Sequence, residues 1–218
     1  MKKISILHFI LTLISSIHLF GQDPLRFADE VKKFENAATK YPSENRIVFT
    51  GSSSVRLWID FKSYFPEHNV INTGFGGSET SDLIYYKDLL ISQFNPKQVF
   101  IYEGDNDVNS GKSGLEILAD MNTLVSQLLE EGIENIVIIA PKPSVARWAL
   151  KEQYKKVNAS FKALADLSPN IHYADVWTPM LNPDGIVKND IFIDDNLHMN
   201  KKGYDIWIKV IGPLLIKP

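Results

Sequence analysis

The sequence predicts a three-layer α/β/α sandwich, flavodoxin-like, around about five parallel strands. Three observations lead there. Strand-like and helix-like apolar patterns alternate along the chain. The strand-like runs are short, β-branched and almost wholly apolar, as in strands covered on both faces. No linker, charge block or internal repeat divides the chain.

The elements follow in order. Asp23-Pro24 reads as an N-cap with proline at the first helical position. Phe27, Val31, Phe34 and Ala38 recur at helical spacing until Pro42 stops that helix. Ile47-Val48-Phe49 is the first strand and ends at Gly51. Val55 to Tyr64 reads as helix, closed by Pro66. Val70-Ile71 is the second strand, followed by a glycine-rich turn. Ser81 to Phe94 is helical in pattern and stops before Pro96. Val99 to Tyr102 is the third strand. Ser113-Gly114-Leu115-Glu116 is a capping box opening a helix that Gly132 ends. Ile136 to Ile139 is the fourth strand. Tyr154, Val157, Phe161 and Leu164 mark the next helix, and Ile171-His172-Tyr173 a fifth strand. Asn200 caps a last helix carrying Tyr204, Trp207, Ile208 and Ile211.

The 218 residues are 44% hydrophobic and 22% charged, which suits one domain with a substantial core. Lys2 and Lys3 precede an apolar stretch from Ile4 to Phe20, and Gly21-Gln22 follow. That pattern reads as a secretory signal over residues 1–21, cut after Gly21, with residues 22–218 as the mature domain. An N-terminal membrane anchor is the competing reading, but the stretch is short and polar-spotted for one. The expectation is export, to periplasm or medium, with no stable membrane insertion after cleavage. The chain has no cysteine, which excludes disulfides and a lipid-modified cysteine. Removing residues 1–21 leaves 21 basic and 26 acidic residues, net charge −5. No basic stripe appears, so nucleic acid is not an expected partner.

Four segments carry the candidate chemistry: Gly51-Ser52-Ser53-Ser54, Gly74-Phe75-Gly76-Gly77, Gly104-Asp105-Asn106-Asp107 and Asp195-Asn196-Leu197-His198. The first three follow closely on separate strands, and the fourth precedes the last helix. In an open parallel sheet such loops meet in one crevice at the strands' carboxyl ends. Ser53 sits where a buried strand gives way to a helix, which suits a nucleophile and equally a helix cap. After loss of the signal, His68, His172 and His198 remain as bases. His68 falls in a loop among Pro66, Glu67 and Asn69, and His172 inside an apolar strand. His198 follows Asp195 by three residues, a spacing that lets the carboxylate turn to Nδ1 and leave Nε2 for serine. Asp194 and Asp175 are alternative orienting groups. Gly76-Gly77 permits close backbone approach to a ligand, and Asn106 offers a side-chain amide; both are oxyanion donors or plain turn residues. Phe75, Arg147, Trp148 and Trp177 either line a cleft or belong to the core. The acidic residues fit no cation loop and no His/Cys cluster exists, so neither metal nor cofactor is expected.

The four segments together resemble the SGNH hydrolases, the GDSL-type esterases and lipases. Ser53, Gly77, Asn106 and His198 match the four blocks in order, with Asp195 as the triad acid, over nearly all of the mature chain. The likeness extends to a subgroup with Lys142-Pro143-Ser144 and Arg147-Trp148. Ser52 departs from the family, which usually has Asp there. The resemblance implies a metal-free serine esterase. Its triad is Ser53, His198 and Asp195, and its oxyanion hole is formed by Ser53, Gly77 and Asn106. Its substrates are small-molecule or glycan esters, with short acyl groups on carbohydrate placed first. A lipase or lysophospholipase-type esterase is the alternative. A non-catalytic glycan-binding domain on the same fold is the rival from another class.

Overall fold

Five apolar segments form one parallel sheet in a computed structural model that describes residues 23–217. The signal-peptide reading of residues 1–21 lies outside the described residues. The strands are β1 (Arg46–Gly51), β2 (Asn69–Asn72), β3 (Gln98–Tyr102), β4 (Ile136–Ile139) and β5 (Ile171–Ala174). Their order is β2-β1-β3-β4-β5, the flavodoxin-like arrangement. Every residue of β1, β3 and β4 is buried, which is why these runs carry no polar alternation. Register pairs Phe49 with Phe100 and Gly51 with Tyr102, so β1 and β3 end side by side.

The helices are α1 (Ala28–Val31), α2 (Ser53–Arg56), α3 (Phe61–Tyr64), α4 (Thr80–Leu90), α5 (Asp105–Asn109), α6 (Gly114–Glu130), α7 (Lys151–Ala165) and α8 (Lys201–Ile211). Only the β1-to-β2 connection steps backward across the sheet; the next three step forward. Right-handed crossovers therefore put α4, α6 and α7 on one face, where they pack in series. An aromatic cluster fills the other face. Phe49 stacks on Phe100 at 4.2 Å and meets Trp58, Phe61 and Phe65, while Trp58 stacks on Tyr204 of α8 at 5.0 Å and meets Trp207 edge-on. Among the described residues no helix is long and apolar enough to cross a membrane.

Two expected helices are broken. Between Pro24 and Lys40 the chain runs as 3₁₀ turns around α1, with Asn36 in the left-handed region at φ 55°. Phe27, Val31 and Phe34 are nevertheless buried, and Ala37 is buried in place of the expected Ala38. A 3₁₀ turn repeats every three residues and an α-turn every 3.6, so apolar spacing alone does not distinguish them. The Val55–Tyr64 helix splits into α2 and α3, because Trp58 leaves the helical path to enter the aromatic cluster. Caps fare better. Both arms of the Ser113–Glu116 box form, and Asn200 accepts from the N–H groups of Lys202 and Gly203.

Candidate active site

β1 ends in a turn that only glycine can make. Gly51 has φ +114°, and a Cβ there would lie 2.1 Å from the Tyr102 carbonyl oxygen on β3. The Ser52 N–H donates to that same carbonyl at 3.0 Å. Ser53 is therefore the first residue of α2, at the carboxyl end of the sheet and half-buried. Its N–H, like any at a helix start, has no acceptor within the helix. Its Oγ lies 2.8 Å from His198 Nε2.

The loop carrying His198 is closed on itself. Phe192 and Met199 form an antiparallel bridge, and the Ile193 N–H donates to the His198 carbonyl at 2.9 Å. Asn196 turns the chain with φ +57°. Asp195 Oδ1 accepts from the N–H groups of Leu197 and His198, each at 2.9 Å, and Oδ2 lies 2.5 Å from His198 Nδ1. Burial opposes the charged form of Asp195, but the hydrogen bonds from His198 and Leu197 outweigh it and hold the carboxyl at about 2. An ionised Asp195 fixes the proton on Nδ1 and leaves Nε2 as an acceptor for the serine hydroxyl. Asp175 is engaged elsewhere: it accepts from the Thr178 N–H at 3.0 Å and hydroxyl at 2.7 Å. Of the three candidate bases, the one against Ser53 is His198; His172 sits in β5 and His68 follows α3.

Asn106, in the first turn of α5, is held at every polar atom. Nδ2 donates to Ser52 Oγ at 2.7 Å and to the Ser78 carbonyl at 2.9 Å, while Oδ1 accepts from Arg147 Nη2 at 3.0 Å. Ser52 thus takes up a bond from the asparagine. Gly77 is exposed with φ +69°, and a Cβ there would meet nothing within 4 Å. Among the described residues no group accepts from its N–H. Its neighbour Gly76 donates to Glu30 Oε1 at 3.1 Å, and Glu30 also pairs with Arg56 at 3.3 Å.

One of the expected cleft residues, Phe75, lies in the core, and another, Arg147, is half-buried against α5. Phe75 is fully buried, edge-on to Phe27 at 5.1 Å and to Tyr86, and lines no cleft. Arg147 faces inward. Its Nη1 donates to Asp105 Oδ1 at 2.7 Å and to the Asp105 carbonyl at 3.1 Å, so its guanidinium serves the α5 loop. Trp148 is half-buried and stacks on Trp177, which stacks in turn on Tyr154.

The residue the sequence reading missed is Asp105. It is buried and accepts from the hydroxyls of Tyr102 and Tyr154 as well as from Arg147, with Lys142 Nζ at 3.5 Å. Burial alone would raise its carboxyl, but Lys142 and Arg147 bring it down to about 2. Lys142 is itself pushed down, because complete burial outweighs the attraction of Asp105. Only the proximity of Asp105 to the Lys142…Arg147 segment, which is not adjacent in sequence, would have revealed this.

Serine, imidazole and carboxylate are in hydrogen-bonding sequence, beside a loop with a free N–H. That set can activate a hydroxyl and stabilise an oxyanion. Among the described residues no group of three acidic, histidine or cysteine side chains could hold a metal. Neither the cavity lined by Lys155, Tyr173 and Trp177 nor the groove lined by Leu115, Leu118 and Leu167 includes a residue of the Ser53–His198–Asp195 chain.

Residues 47–206 match the GDSL-like Lipase/Acylhydrolase family. No curated protein matches the chain. Several solved structures share its fold. A Streptococcus pneumonia protein provisionally described as a platelet activating factor is 19% identical, with TM-score 0.79 over 88% of this chain and 94% of its own. A GDSL-like lipase from Bacteroides thetaiotaomicron is 18% identical, with TM-score 0.74 over 85% and 96%. A catalytic mutant of an acetylxylan esterase from Geobacillus stearothermophilus is 16% identical, with TM-score 0.68 over 81% and 96%.

Proposed function

The chain belongs to the GDSL-like lipase/acylhydrolase family, and from that premise we propose that it is a serine esterase hydrolysing short acyl esters, acetyl groups on carbohydrate foremost. The observation that carries the proposal is the unbroken chain of contacts, 2.8 Å from Ser53 Oγ to His198 Nε2 and 2.5 Å from Nδ1 to Asp195.

In this mechanism Ser53 Oγ attacks the ester carbonyl while His198 Nε2 takes its proton. Asp195 orients the ring and stabilises the imidazolium. The proton then passes from Nε2 to the departing alkoxide, and water repeats the cycle on the acyl-enzyme. The N–H groups of Ser53 and Gly77 hold the developing oxyanion. Asn106 Nδ2 joins them by sharing a hydrogen now directed at Ser52 or Ser78. Each donor of this kind is worth about 2.7–4 kcal/mol in the transition state.

The acetyl preference is supported by a site open at the exposed Gly77 and Asp195, and by likeness in fold to the acetylxylan esterase from Geobacillus stearothermophilus. The exposed Val145 and Ile193 beside the His198 loop favour a second reading, an esterase for longer acyl or apolar alcohol groups. We place the protein outside the cytoplasm, on the basic and apolar pattern of residues 2–20.

Hydrolysis of p-nitrophenyl esters from acetate to octanoate tests this. The expected result is turnover highest on acetate, falling by about a thousandfold or more in Ser53→Ala. A preference for octanoate would select the second reading. Turnover retained in Ser53→Ala would reject the mechanism. Binding of acetylated sugar with no turnover would favour the glycan-binding domain.

A further inference from the structure

We propose that the buried carboxyl of Glu103 is a positioning group for the oxyanion donors: it fixes Ser78, the residue standing between Gly77 and Asn106. The inference rests on the esterase reading above.

Glu103 follows the last residue of β3 and precedes Gly104, and none of its surface is exposed. Its Oε1 accepts from Ser78 Oγ at 2.6 Å. Ser78 is also fully buried, and its carbonyl accepts from Asn106 Nδ2 at 2.9 Å. One serine thus ties the carboxyl to the amide of Asn106 on one side and to the peptide following Gly77 on the other. Gly77 itself has no side chain and, among the described residues, no acceptor for its N–H, so its direction is set by its neighbours.

Nothing else explains an acid at this place. Among the described residues Glu103 Oε2 has no hydrogen-bond partner. The nearby cation, Lys112, is bonded to Glu79, Asp107 and Asp120. Burial, and then the charge of Asp107, push the Glu103 carboxyl well above the usual carboxylate range. Burial thus favours the neutral form of the acid, which is far less costly to bury than a carboxylate. An apolar side chain would fill the same space without leaving a polar atom unpaired. A local rule broken in this way marks a functional constraint. Among the described residues, the bond from Ser78 is the one hydrogen bond the carboxyl makes.

The test compares Glu103→Ala, Glu103→Gln, Ser78→Ala and the double alanine variant on p-nitrophenyl acetate, with Ser53→Ala as control and the folded fraction read by near-ultraviolet circular dichroism. Glutamine keeps the acceptor and mimics the neutral acid. Glu103→Ala and Ser78→Ala are expected to lose about tenfold or more in kcat per folded molecule, with KM within about twofold, because the donors act on the transition state. Glu103→Gln is expected to stay within about threefold of the unaltered protein, and the double variant to be no worse than the poorer single one. A purely structural role would lower stability and leave kcat per folded molecule unchanged. If Glu103→Ala does not fold, Ser78→Ala and Glu103→Gln decide. Full kcat in Ser78→Ala, or a Glu103→Gln as impaired as Ser78→Ala, overturns the inference. Either result beside an inactive Ser53→Ala leaves the esterase standing; an active Ser53→Ala removes the esterase itself.

Discussion

Asp195 uses both carboxylate oxygens, one on the imidazole and one on two backbone N–H groups. The backbone bonds hold the carboxylate still, so the ring is held in turn. Asp195→Asn separates geometry from charge. The amide oxygen can keep the backbone bonds, but its NH2 then faces Nδ1 and forces the proton onto Nε2. We expect kcat to fall by about 10³–10⁴ with KM little changed, measured by steady-state kinetics on p-nitrophenyl acetate. A loss confined to KM would mean that Asp195 only shapes the loop. These positions were legible because Asp-x-x-His is a local spacing and the loop brings its two ends together. Phe75 and Arg147 were not legible as they stand. Whether a phenylalanine or an arginine between two loops points in or out depends on what the rest of the chain places beside it. Here Phe27 and Tyr86 enclose one, and Asp105 captures the other.

At the scale of elements, the junction from β1 to α2 does most to place the serine. Register sets Gly51 opposite Tyr102, and the absent Cβ lets the two strands approach. Gly51→Ala would put a methyl 2.1 Å from a carbonyl oxygen and strain a left-handed φ. We expect a loss of more than about 3 kcal/mol in urea unfolding, or failure to fold, where Gly77→Ala, with open space around it, costs no more than about 1–3 kcal/mol. Near-native stability in Gly51→Ala would contradict the described turn. Strands and caps were readable from sequence because each depends on a few adjacent residues. The breaks at Asn36 and Trp58 were not: apolar spacing runs on through 3₁₀ turns, and a tryptophan that leaves a helix to join a distant cluster keeps its spacing.

Across the whole molecule, the sheet order brings the ends of β1 and β3 together, and with them Ser53 and Asn106. Beneath them lies the buried network of Asp105, Arg147, Lys142, Tyr102 and Tyr154, which joins α5 to the connection between β4 and α7. That network gives stability a pH signature. The folded carboxyl of Asp105, at about 2, lies below the unfolded value of about 3.9. Its contribution is therefore complete above about pH 5 and is lost progressively as pH falls through 4 toward 2. Asp105→Asn is expected to lower the urea midpoint at pH 7 and to flatten the decline between pH 4 and 2. A decline as steep as in the unaltered protein would assign the acid sensitivity to other carboxylates.

The most direct test of the account is to treat the protein with a fluorophosphonate and locate the adduct by peptide mass spectrometry. The account predicts one covalent adduct, on Ser53, formed at a rate that falls sharply in His198→Ala. An adduct on another residue, or ester turnover with Ser53 left unmodified, would contradict it.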